Sequence, residues 1–87
     1  MNNIQVNITT YLDKVPNVEE ILPKEFAVVN GWKEEGVLEH LFIKDGRCGA
    51  VLVFKGINEA KAKELIATLP LHQYMEKVEY TLVEKAF

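Results

Sequence analysis

Polar and apolar positions alternate from the start of the chain. Ile4, Val6 and Ile8 interleave with Gln5, Asn7 and Thr9, and a period of two with β-branched residues predicts a half-buried strand over Ile4–Tyr11. After a connection at Leu12–Asn17 the period changes. Val18, Ile21, Leu22, Glu25, Val28, Val29 and Trp32 recur at three- and four-residue steps, which predicts a helix over Val18–Glu35. Pro23 suits a first turn better than a helix interior, so irregular or kinked early turns are expected. Gly31 weakens the middle of this helix, and Gly36 is a natural stop. Further strands are predicted over Val37–Lys44 and Arg47–Lys55, with Asp45-Gly46 between them signalling a two-residue type I′ hairpin. Asn58 is a good cap for a second helix over Glu59–Leu69, whose buried stripe is Ala62, Leu65, Ile66 and Leu69 and which Pro70 ends. A short linker through Met75 leads to a last strand over Lys77–Val83.

The order β-α-β-β-α-β is the split βαβ pattern, so the expected fold is α+β and ferredoxin-like, a single domain over residues 1–87. Right-handed crossovers put both helices on one face of a four-stranded antiparallel sheet. Gln5, Asn7, Thr9 and Tyr11 are expected on the other, uncovered face. In the second strand the sets Leu38-His40-Phe42 and Val37-Glu39-Leu41-Ile43 both carry large apolar groups, so alternation does not fix its facing. A strand apolar on both sides is covered on both sides, and here the second cover must come from another chain. Composition points the same way. A domain of 87 residues buries only roughly 60–65% of its unfolded surface, yet 48% of its residues are hydrophobic. A homodimer is therefore expected.

Charge narrows the partners. The formal net charge is −3 and the ten Lys and Arg are scattered, which argues against nucleic acid and against an anionic membrane surface. The apolar runs are far too short to span a bilayer. No charged region followed by an apolar run precedes the first strand, and Cys48 is the only cysteine, so a reducing, cytoplasmic setting is expected. There is no phosphate-binding glycine loop, Cys-x-x-Cys pair or His-x-x-x-His spacing, and neither a metal nor a cofactor is expected.

Leu69-Pro70-Leu71-His72-Gln73-Tyr74-Met75 resembles the Leu-Pro-Leu-x-x-Tyr-Met segment that follows the second helix of muconolactone delta-isomerases. Glu35-Gly36, His40-Leu41, Gly46 and Phe54 also fall at the spacing found there. The resemblance extends over nearly the whole chain, with identities concentrated between Glu35 and Met75. It implies a dimeric α+β barrel in which two sheets face each other and enclose a pocket, with further assembly into decamers. It also implies a small-molecule ligand, a lactone or a related compound. The sequence departs from the pattern at Leu38, where the family has an aromatic residue, at Gln73, where it has proline, and at Cys48-Gly49-Ala50, where it is bulkier and more polar.

Isomerisation of an unsaturated lactone needs a base beside a carbonyl, an acid to return the proton elsewhere, and a donor for the enolate oxygen. Glu25 lies on the apolar stripe of the first helix, where burial would raise its pKa toward neutrality. It could equally lie at the edge of the stripe and pair with a lysine. His40 sits mid-strand beside Leu41 and Phe42 and falls where the isomerases have a His. It could be acid, base or donor, or a hydrogen-bonded strand residue. These two are the candidate catalytic pair. Tyr74 and His72, in the segment carrying the resemblance, and Trp32, Asn7 and Tyr11 are candidate substrate-binding residues, with packing or dimer contact as the alternative for each. The rival to an isomerase is a non-catalytic dimeric ligand-binding or assembly module of the same fold.

Overall fold

The computed structural model describes residues 2–84 and 86. Its elements are strand β1 (Asn2–Thr9), helix α1 (Val18–Glu35), strands β2 (Leu38–Ile43) and β3 (Gly49–Lys55), helix α2 (Glu59–Ala67) and strand β4 (Lys77–Glu84). The four strands form one sheet in the order β2-β3-β1-β4, and every neighbouring pair is antiparallel. Each helix thus crosses between two parallel strands that have one other strand between them, as the split βαβ reading expects. No helix among the described residues is long and apolar enough to cross a membrane.

Alternation in β1 places the core. Ile4, Val6 and Ile8 are buried under the helices together with Leu52 and Phe54 of the neighbouring strand. Trp32 of α1 meets Phe54 edge-on, with ring centroids 5.5 Å apart, and Ala62 and Ile66 bring α2 onto the same core. Burying a side chain such as Phe54 stabilises the fold by roughly 1.5–3 kcal/mol. The stripes on both helices are therefore what hold them to the sheet.

α1 runs unbroken through Pro23, which lies on its exposed side. The helix stops at Gly36, whose N–H reaches the carbonyl of Lys33. α2 begins where Asn58 Oδ1 accepts the Lys61 N–H at 2.8 Å. It ends at Ala67, two residues before the expected end, because Thr68 and Leu69 turn back with i→i+3 bonds to Leu65 and Ile66. His72–Tyr74 form a short 3-10 turn before β4.

Two expectations need correction, and the facing of β2, which alternation left open, is decided. The β2–β3 connection is not a two-residue type I′ hairpin. That turn needs positive φ at both central residues, and only Gly46 has it, at 77°. Asp45-Gly46-Arg47 instead form a 3-10 turn inside a longer loop, closed by the Lys44 N–H on the Gly49 carbonyl. Tyr11 is not on the uncovered sheet face. β1 stops at Thr9, where both neighbouring strands run out of partners (Gly49 and Lys77), and Tyr11 leads into a 3-10 turn at Leu12–Lys14. Finally, neither parity holds along all of β2. Leu38 faces Phe54 but His40 faces Val53, so Glu39 forms a bulge that shifts the alternation by one. Leu38, Leu41 and Ile43 consequently all point to the helix side, and His40 and Phe42 to the other.

Candidate functional site

Leu22, Glu25, Phe26 and Val29 follow the i, i+3, i+4, i+7 rule and face the sheet as one row. Opposite them stand Ile8 of β1, Leu41 and Ile43 of β2, and Ala50 and Leu52 of β3. Leu69, Leu71 and Met75, from the α2–β4 connection, close one end. The helix and sheet do not meet fully here, because Gly49 and Ala50 supply almost no side chain. The result is an apolar cavity of about 160 Å³ between α1 and the sheet. That volume is about what a benzene-sized ring requires.

Gly49 is structurally required at this wall. Its φ is 145°, and a Cβ there would overlap the carbonyl oxygen of Ile8. A glycine lets β1 and β3 approach closely while the connection to β2 swings away.

Two polar side chains line this cavity. Glu25 Oε1 accepts the Leu71 backbone N–H at 3.0 Å. Burial pushes the Glu25 carboxyl above the ordinary glutamate range, and the Leu71 hydrogen bond offsets only part of that shift. The second is Thr10, only 3% exposed, with its Oγ1 buried and without a hydrogen-bond partner among the described residues. No family model and no curated protein matches this chain.

The other sequence candidates are spread over the molecule. His40 shares a face with Val53 and Phe42, on the side of the sheet away from Glu25. Its ring lies 5.9 Å from that of Phe42, and its Nε2 is 3.8 Å from Glu39 Oε1. His40 also lines an open groove along the β2 edge, of about 630 Å³, which shares Phe26, Val29 and Leu41 with the cavity. Glu25 and His40 are thus in adjoining spaces but not in one. Tyr11 and Tyr74 do come together. With Lys14 and Gln73 they line a polar cleft of about 190 Å³, and Met75 is the wall it shares with the apolar cavity. Lys14 Nζ sits 5.1 Å from the centre of the Tyr11 ring. His72 is exposed, in the turn preceding this cleft. Trp32 is a core residue. Asn7 lies half-buried on the uncovered face between Val51 and Glu79.

Sequence reasoning found Glu25 and missed Thr10. The signal was present: Thr10 continues the parity of Ile4, Val6 and Ile8 one residue past the end of β1 and is buried like them. Phe26 was missed too, because it lies beside the stripe that the periodicity marked out and is half exposed.

Proposed function

We propose that this chain is muconolactone-isomerase-like. It takes a small unsaturated ring, a lactone or a related compound, into the cavity between α1 and the sheet rather than into the expected pocket between paired sheets, and Glu25 moves a proton on it without a cofactor. The observation that carries this reading is the Glu25 carboxyl itself, held in an apolar wall by the Leu71 N–H, with its pKa raised by burial. A carboxylate in that state is a stronger base than one in water, and once protonated it can return the proton to a second carbon. The hydrogen bond to Oε1 fixes the carboxyl and leaves Oε2 for the ligand. The reading is also supported by the cavity volume, which suits a five- or six-membered ring, and by the Leu69–Met75 segment, which supplies both Leu71 and the end wall. His40 has no part in this step, since it lies on the far side of the sheet.

Pairing of two copies through the uncovered face belongs to the same proposal, with higher assembly on the isomerase pattern. His40, Phe42, Val51 and Val53 form an apolar half of that face, and Phe42 is 57% exposed in the single chain. The same patch favours the rival reading, a non-catalytic dimeric module.

An assay of purified protein with muconolactone and related unsaturated lactones separates the two. Proton transfer is expected for the wild type, a loss of at least about 100-fold for Glu25→Gln, and little change for His40→Ala. Absence of turnover in the wild type, with a ring still bound in the cavity, would leave the non-catalytic module.

A further inference from the structure

We infer that Phe26 sets the size of the ligand: its ring closes the cavity off from the groove along β2 and limits the occupant to a single five- or six-membered ring with short substituents. This rests on the reading that the cavity holds a small organic ring.

The exposure of the lining residues shows where the cavity opens. Phe26 and Ile43 alone among them are exposed, at 50% and 57%, and the rest are buried or half-buried. Phe26 comes from α1 and Ile43 from β2, an edge strand with no further strand beside it among the described residues. The mouth therefore lies between α1 and the free edge of the sheet. A ligand leaving water meets apolar surface on both sides of that mouth before it enters.

The groove of about 630 Å³ runs along the same edge and shares Phe26, Val29 and Leu41 with the cavity of about 160 Å³. These three side chains stand between the two spaces. Val29 is buried in the core and Leu41 packs half-buried against it, so neither can move without disturbing the fold. Phe26 is the largest of the three and half of it is in water, so it is the part of the wall that can be cut back while the core stays whole. A chain attached to a ring in the cavity would have to pass the Phe26 ring to reach the groove. Forcing extra methylenes against a packed wall costs binding, because side chains or backbone must shift to make room. A wall that excludes by overlap selects against the longer ligand without adding any contact to the shorter one.

The test uses the full chain with benzene and n-butylbenzene as probes. Both are titrated while the methyl signals of Leu52, in the cavity wall, and Leu38, in the groove, are followed by NMR. In the wild type benzene should shift Leu52 and leave Leu38 unmoved, and butylbenzene should bind no tighter than benzene. In Phe26→Ala the preference for butylbenzene over benzene should rise about tenfold, as about two methylenes of its chain leave water in the groove. Butylbenzene should then shift Leu38 together with Leu52. Phe26→Leu, which keeps an apolar side chain on α1, should change the preference in the same direction by a smaller factor, and it decides the question if the alanine variant does not fold. An unchanged preference in the folded variants, with both probes bound, would overturn the inference and leave the cavity reading intact. So would tighter binding of butylbenzene than of benzene by the wild type with Leu38 shifted, because the wall would then already be open. Failure of benzene to perturb Leu52 in the wild type would overturn the cavity reading, and the inference with it.

Discussion

Glu25 and Gly49 show how single residues shape the cavity in opposite ways, one by what it adds and the other by what it lacks. For Glu25 the sign of the pH effect follows from its raised pKa. Below the unfolded-state pKa the carboxyl is neutral in both states and no charge is buried. As pH rises through the folded pKa the carboxyl ionises inside the wall, and the stability it contributed is lost. Glu25→Gln should therefore be more stable than the wild type at neutral pH, and the gap should close below the ordinary glutamate range. Urea midpoints measured from pH 3 to 8 check this, and a gap constant across the range would contradict it. For Gly49, alanine brings both an unfavourable φ and an overlap with the Ile8 carbonyl. Gly49→Ala should cost at least ~2 kcal/mol, read from the denaturation midpoint, since backbone strain of this kind alone costs about 1–3 kcal/mol.

At the scale of elements, helices were legible because their signals are local. The three- and four-residue spacing of α1 gave both of its ends, and Asn58 marked the start of α2 through a bond to a residue three positions on. Asn58→Ala should accordingly lower stability by about 1 kcal/mol in thermal or urea unfolding, with little effect on ligand binding, because the cap lies outside the cavity. β2 was less legible. A bulge depends on two strands and cannot be read from one, so the alternation of β2 looked ambiguous until Glu39 was seen to step out of register. That step puts Leu38, Leu41 and Ile43 under α1 and sends His40 to the other side. The β2–β3 turn failed for a related reason. Asp45-Gly46 carries a strong local hairpin preference, but the close passage of Gly49 against β1 sets where β3 begins and lengthens the loop.

The whole molecule has one face covered by helices and one face without them. The bare face is not uniformly apolar: Phe42, Val51 and Val53 lie toward β2, whereas Gln5, Asn7, Thr9 and Glu79 occupy β1 and β4. The proposed pairing should therefore depend on the β2–β3 half. Light scattering should give a dimer or larger for the wild type and a single-chain mass for Phe42→Glu, with an unchanged circular dichroism spectrum. A wild-type mass equal to one chain at micromolar concentration would rule the pairing out. The sequence by itself determined the ferredoxin-like order, the helix stripes and the buried parity of β1, because each rests on a periodicity of neighbouring residues. Only the tertiary structure decided that Glu25 and His40 lie on opposite sides of the sheet, that Tyr11 joins Tyr74, and that Thr10 and Glu25 line one cavity. Those are relations between segments far apart in the chain, set by strand register and by how closely a helix can approach a sheet whose wall contains a glycine.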